Sequence, residues 1–245
     1  MKISVLMPAY NKEKSVFKAI KKMKSVLNEL DMDHEIIIVN DGSIDHTLDE
    51  IKRAKEINND IKLVHYDINK GKGNALKHGF KFSDGDLIYF QDADTDLNPD
   101  KLKIFLKYMQ ENDSDIVIGS KRHPESNLTY PFKRKLLSKG YQMFVKVLFN
   151  LDVTDTQVGS KLFKREVLEK VFPRVLVKRW AFDLELLVNA HNLGYKIAEA
   201  PVDLNFSRFD SVVNRKVLKC IKNMFIDTCA IFYRDKILNY YNRVG

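Results

Sequence analysis

Asp92, Asp94 and Asp96 stand two residues apart, directly after the apolar run Leu87-Ile88-Tyr89-Phe90. Extended backbone sends alternate side chains to one face, so carboxylates at this spacing converge if the strand continues. A turn beginning near Asp92 gathers them equally well. Clustered carboxylates repel one another, and the usual remedy is a hard divalent cation with oxygen ligands, Mg²⁺ or Mn²⁺. The competing reading of these residues alone is a solvated acidic turn closed by Asn98-Pro99, since Asp-rich turns are common.

The elements that must position this cluster follow from periodicity. Ile3 to Met7, Glu35 to Val39, Ile61 to Tyr66 and the run before Asp92 read as four strands. Between them, residues 13–30, 47–57 and 74–82 carry apolar residues at helical spacing. Alternation of strand and helix with short connections predicts a parallel sheet wrapped by helices, whose ligands bind beyond the carboxyl ends of the strands. Four unusual loops fall at that edge: Pro8-Ala9-Tyr10-Asn11, Asp41-Gly42-Ser43, the basic glycine loop Lys70-Gly71-Lys72-Gly73-Asn74, and the aspartates. The second half is less regular. It reads as a helix over 99–110, a strand over 115–119, a basic amphipathic helix over 132–149, and a short strand over 161–164. A helix over 180–192, a strand over 195–202 and a second basic amphipathic helix over 213–235 complete it.

A chain of 245 residues, 44% hydrophobic and 30% charged, suffices for one large α/β domain or two small ones and needs no disulfide staples. Cys220 and Cys229 match no metal spacing and favour a reducing compartment. The N-terminus reads as a strand, and no apolar run reaches the length of a membrane-spanning helix. The formal charge of +8 points to an anionic partner. A dinucleotide-binding enzyme is disfavoured, because Gly71-Lys72-Gly73 follows the third strand and Leu76 stands where the last glycine belongs. No phosphate-binding Walker pattern, nucleophile motif or recognised nucleic-acid module is present, so nucleic acid is not expected as a partner.

Taken together, Pro8-Ala9-Tyr10-Asn11, Val39-Asn40-Asp41-Gly42-Ser43, Asn69-Lys70-Gly71-Lys72-Gly73 and Asp92-Ala93-Asp94 resemble the nucleotide-sugar-binding half of the family 2 glycosyltransferases. Downstream, Asp155-Thr156-Gln157 with Lys161, and Arg179-Trp180-Ala181-Phe182-Asp183 with Glu185, are similar to the polyprenyl-phosphate hexose synthases. Within these, the second motif is nearest the dolichyl-phosphate glucosyltransferases. The resemblance spans about residues 1–210 and implies a GT-A fold over that stretch, a mixed, mostly parallel sheet, with residues 211–245 a separate amphipathic helical segment. Three positions depart from the family pattern: Lys12 where Glu is usual, Asn40 where Asp is usual, and Asp210-Ser211-Val212-Val213 in place of a Gly-x-Ser-Lys loop.

The resemblance implies transfer of a hexose from a nucleotide diphosphate sugar, UDP-glucose favoured, to dolichyl or polyprenyl phosphate, with Mg²⁺ or Mn²⁺ as cofactor. Its metal ligands would be Asp94 and Asp96. Nucleotide-sugar contacts would fall on Pro8, Ala9, Tyr10, Glu13, Val39, Asp41, Lys72, Asp92, Ala93 and Lys121. Arg122, Arg134, Ser138 and Arg208 would hold the acceptor phosphate, and Asp94, Asp183, Arg134, Arg208 and Gln157 would form the reacting centre. Asp183 and Glu185, two apart on a helix, cannot face the same way; Asp183 is the one expected in the site. Trp180 and Phe182 are expected in the core. The alternatives are a GDP-mannose or UDP-N-acetylhexosamine donor, a hydroxyl acceptor, or a non-catalytic nucleotide-sugar binder. The two basic amphipathic helices would rest in the headgroup layer, on the cytoplasmic face of a membrane, as a peripheral and conceivably oligomeric protein.

Overall fold

In the computed structural model, β1 (Lys2–Ala9), α1 (Val16–Asn28), β2 (Asp33–Asp41), α2 (Thr47–Ile57), β3 (Ile61–Tyr66), α3 (Lys72–Phe80) and β4 (Leu87–Phe90) alternate as the periodicity predicts. Residues 1–58, 60–94, 98–128, 132–204 and 215–244 are described, with side chains excepted over 127–137 and 204–219. A 3-10 turn (Pro99–Lys101) opens α4 (Leu102–Glu111), followed by β5 (Ile116–Ser120), β6 (Asn127–Leu128) and α5 (Phe132–Phe149). Then come β7 (Lys161–Lys164), α6 (Arg165–Val171), α7 (Phe182–Asn192), β8 (Ile197–Pro201), β9 (Asp203–Leu204) and α8 (Arg215–Phe232). A π-helical turn (Tyr233–Ile237) and α9 (Tyr240–Arg243) follow. The expected domain boundary at 210 lies outside the described residues.

Seven strands form one sheet in the order β3-β2-β1-β4-β7-β5-β8, while β6 and β9 make a small parallel pair. Every pairing in the large sheet is parallel except those of β7, which runs antiparallel to both β4 and β5. Strand alternation divides the core. Ile3, Val5 and Met7 of β1 join Ile36 and Ile38 of β2 beneath α1, α2 and α4. Leu6, Ile37 and Val39 point the other way, with α3, α6, α7 and the apolar residues of α5. Ile231 of α8 and Tyr241 of α9 are buried in that second layer, so the C-terminal helices are packed onto the domain.

Two expectations change here. The glycine loop is shorter than the sequence implies, because α3 already begins at Lys72. Trp180 is 53% exposed, in the turn ahead of α7, and only Phe182 enters the core. The reason is local: α7 buries Phe182 against Gly73 at the start of α3, which leaves Trp180 on the outside of the turn.

Candidate active site

Because β7 is antiparallel, its first residue lies at the edge where its neighbours end: Lys161 pairs with Phe90 on one side and Ile118 on the other. Loops following β3, β2, β1, β4 and β5, and the loop preceding β7, therefore share one edge. Asp41, the last residue of β2, organises its first corner. Its Oδ1 accepts from Tyr66 Oη (2.7 Å) and the Lys70 amide (2.8 Å), and its Oδ2 from the Gly71 amide and Asn69 Nδ2 (both 3.0 Å). Burial, and then the bond to Asp41, raise the Tyr66 phenol above its ordinary range, so it remains a donor. Gly71 has φ +93°, and a Cβ there would stand 2.5 Å from the Lys178 carbonyl oxygen. That oxygen accepts from the Gly73 amide at 3.0 Å, which joins the first turn of α3 to the segment before α7.

The turn after β1 is laced to the loop after β2. The Asn11 amide donates to Ser43 Oγ (3.1 Å), the Ile44 amide to Asn11 Oδ1 (3.0 Å), and the Lys12 amide to Thr47 Oγ1 (2.6 Å). Glu13 Oε2 accepts from the His46 amide at 3.1 Å, so its carboxylate binds this loop. Pro8 is half-buried and Tyr10 is exposed at the mouth. Ala9, Val39 and Ala93 are each 1% exposed, and the Val39 side chain lies in the core below α3. Their side chains back the edge and do not line it.

Both described aspartates of the opening cluster are ion-paired. Lys72 Nζ stands 2.6 Å from Asp92 Oδ1, and Lys12 Nζ 3.0 Å from Asp94 Oδ2. Burial opposes charge on Asp92, but Lys72, with Lys161 and Lys12 behind it, outweighs that and holds the carboxyl below its ordinary range. Burial likewise opposes charge on Lys72; Asp92 and Asp183 more than offset it and raise its pKa. Asp92 presses against Gly159, where a Cβ would meet Asp92 Oδ2 at 1.9 Å. The backbone of the loop before β7 is thus the floor of the carboxylate site.

Deeper in the same edge, fully buried Lys161 reaches Asp183 Oδ1 at 2.7 Å and also donates to the Val158 carbonyl. Glu185, on the other side of α7, is fully buried too. Its Oε2 accepts from the amides of Leu176 (2.8 Å) and Val177 (2.6 Å), and its Oε1 from Arg234 (2.9 Å) and Tyr241 Oη (2.5 Å). Asp183 accordingly belongs to the charged edge, and Glu185 ties the segment before α7 to the C-terminal helices.

Beyond β5, Lys121 Nζ lies 3.4 Å from buried Asp155. Arg122 donates to Ser138 Oγ of α5 at 2.8 Å and to the Thr154 carbonyl. Gln157, half-buried, donates its amide to Asp155 Oδ1 at 3.0 Å. Arg208 and Asp96 lie outside the described residues, as does the side chain of Arg134. Sequence reasoning missed Lys12, Gly159 and Lys161 as site residues. Lys161 left a signal: a lysine opening a four-residue buried strand requires a carboxylate partner.

No group of three His, Cys, Asp or Glu side chains among the described residues is placed to hold a metal. The donor set is nevertheless of the right kind. Asp94 offers a hard carboxylate at the mouth, currently neutralised by an ammonium group, and carboxylate oxygens suit Mg²⁺ or Mn²⁺.

Residues 4–172 match glycosyl transferase family 2. A dolichyl-phosphate beta-glucosyltransferase of Dictyostelium discoideum is 35% identical over 216 residues, covering 82% of this chain; the chain spans 65% of that relative's length. Another protein of that name from Trichomonas vaginalis is 32% identical over 96% of this chain and 75% of its own length. Among solved structures, mannosyl-3-phosphoglycerate synthase from Rubrobacter xylanophilus superposes with a TM-score of 0.71 at 18% identity, covering 96% of this chain and 75% of that one. Glucosyl-3-phosphoglycerate synthase of Mycobacterium tuberculosis, solved with Mn²⁺, UDP and glucosyl-3-phosphoglycerate, gives 0.68 at 19% identity, over 94% of this chain and 79% of its own. These neighbours share the GT-A sheet, and with the family match over most of its length the chain belongs to glycosyl transferase family 2.

Proposed function

We propose that the protein transfers glucose from UDP-glucose to dolichyl or polyprenyl phosphate at a membrane surface. The observation that carries this reading is the arrangement of charge along one sheet edge. Paired lysines and aspartates (Lys12–Asp94, Lys72–Asp92) sit after β1 to β4, and Lys121 and Arg122 sit beyond β5. One side suits a diphosphate leaving group and the other an incoming phosphate. The names of the relatives supply the acceptor and the sugar, and a neighbour's complex with Mn²⁺ and UDP supports the donor.

The reaction breaks the bond between the anomeric carbon and the diphosphate oxygen and forms one to an acceptor phosphate oxygen. Its electron pair leaves with the nucleoside diphosphate, and a single displacement inverts the anomeric centre. A phosphate monoester has a second pKa near about 6, so the nucleophile is already deprotonated at neutral pH. Asp92, Asp94 and Asp183 are each paired with a lysine, an arrangement suited to such an acceptor and poor for deprotonating a hydroxyl. Lys72 would hold the diphosphate side, while Arg122, steadied by Ser138, would face the acceptor together with Arg134 and Arg208. Asp94 and Asp96 would hold a divalent ion, which when bound supplies Lewis-acid stabilisation of the leaving diphosphate. Asp183, fixed by Lys161, would orient the sugar.

The membrane part of the reading rests on α5 and α8. Phe144 and Phe225 stack with ring centroids 4.8 Å apart. Beside them Met143, Val147, Ile221 and Ile226 are exposed, with exposed Lys139, Lys146 and Lys222 on the same two helices. Among the described residues no helix is long and apolar enough to cross a membrane. An exposed apolar patch with lysines suits the headgroup layer of an anionic bilayer.

Incubating the protein with labelled UDP-glucose, Mn²⁺ and a polyprenyl phosphate, then extracting into organic solvent, tests the reading. Label should enter the lipid phase. Label in a soluble saccharide instead would establish a hydroxyl acceptor, and no label from any nucleotide sugar would remove the reading.

A further inference from the structure

We propose that the cavity between the start of α3, the segment ahead of α7 and the C-terminal helices is a second anion site, suited to a phosphate monoester. The cavity measures about 590 Å³, and Lys70, Lys178, Arg179 and Arg234 line it together with Asp227. None of these four cations has a part in the donor or acceptor contacts given above, so the inference goes beyond the transfer reading and does not depend on it. They come from three places in the chain: the loop after β3, the segment before α7 and the π-helical turn. Folding, not a single basic stretch, brings them together.

The side chains of Lys178 and Arg179 make no ion pair or hydrogen bond among the described residues, and Lys70 Nζ rests over the Tyr66 ring, 4.8 Å from its centroid. Gly71 makes room for the arginine. A Cβ at Gly71 would stand 2.8 Å from Arg179 Cγ, so the stem of Arg179 lies where a side chain would otherwise be. Arg234 is held from behind, donating to Glu185 Oε1 at 2.9 Å and to Tyr241 Oη at 3.0 Å. Four cations set against Glu185 and Asp227 leave two positive charges uncancelled. That surplus matches a dianionic phosphate monoester, whose oxygens an arginine can meet bidentately. Asp227 is the one acid in the lining among the described residues, and it opposes such a ligand. Burial raises its pKa against the pull of Arg234, with Glu185 adding to the rise. Leu176, 44% exposed, gives the cavity an apolar lip for the organic part of the ester.

Calorimetric titration with phenyl phosphate and co-sedimentation with phosphatidylcholine vesicles containing phosphatidate test this on four proteins. They are wild type, Lys178→Gln with Arg179→Gln, Asp227→Asn, and a control that removes the same charge from exposed positions of α2, Lys52→Gln with Lys55→Gln. The cavity double variant should weaken binding about tenfold or more, and the α2 control should change it little. Asp227→Asn should tighten it about threefold, a gain that misfolding cannot mimic. A response confined to vesicles makes the ligand a lipid headgroup, and a response to phenyl phosphate makes it a soluble ester; either supports the site. Equal losses in the two double variants, weaker binding in Asp227→Asn, or no binding of either probe to wild type overturns the inference. No nucleotide sugar enters the experiment, so its outcome is separate from whether the protein transfers glucose.

Discussion

The mouth of the edge and its interior hold the same pair of residue types under opposite conditions. At the mouth, Lys12 and Asp94 are partly open to water. In the interior, Lys161 has no exposure and Asp183 almost none. Water screens the first pair, so breaking it costs little and either partner can be re-used by a ligand. In the second pair, removing one charge strands the other in a medium that cannot solvate it. Burial lowers the pKa of Lys161 and Asp183 works against that, so the pair is held together by mutual need. The same chemistry thus serves as a movable part in one place and as a fixture in the other.

Breaking the interior pair should give the largest effect. Lys161→Met is expected to lower unfolding stability by about 3–5 kcal/mol in urea titrations, and adding Asp183→Leu should recover much of it. At the mouth the pattern reverses. Asp94→Asn should leave the urea midpoint nearly unchanged while lowering lipid-linked transfer about 100-fold or more, read as kcat at saturating donor. Equal stability losses at the two sites would dissolve the contrast. Between these extremes lies Glu185. Tyr241→Phe removes a bond to a buried carboxylate and should cost about 1.5–3 kcal/mol, with faster amide exchange at Leu176 and Val177.

The smallest effect is in the pH profile. Asp92 is held below its ordinary range, so its contribution is complete above about pH 3.9 and is lost as pH falls through the lower folded value. Lys72 is raised, so its contribution is complete below about pH 10.4 and is lost as pH rises through the higher folded value. Melting temperatures of Asp92→Asn should therefore differ from wild type across that window and converge with it in strong acid.

The first four strands and their loops were legible because parallel connections are local: each loop is flanked by its own strand and helix. The second half was legible in part. The strand over 161–164 could be read from its residues, but its direction could not, since Lys161 pairs with Phe90 and Ile118 at long range. Its lysine found its partner in Asp183, on a helix that follows the next one. The glycine loop read as open because its residues are turn formers, whereas the Lys178 carbonyl, more than a hundred positions away, fastens Gly73 into α3. Trp180 read as core because its size favours burial, and the placement of Phe182 at Gly73 turned it outward. Helix α6 escaped notice although Val167, Leu168 and Val171 carry a helical spacing, being only seven residues long.

The reversed direction of β7 also fixes an order of assembly. Strands β1 to β4 can pair as soon as residue 90 has left the ribosome, so Asp92 exists long before Gly159 and Lys161 arrive to floor its site. Asp183 has its lysine at once, but Glu185 waits 49 and 56 further residues for Arg234 and Tyr241. Until those residues arrive, the Glu185 carboxylate has only the Leu176 and Val177 amides of its four partners, and long-range pairings of this kind are the slow steps of folding.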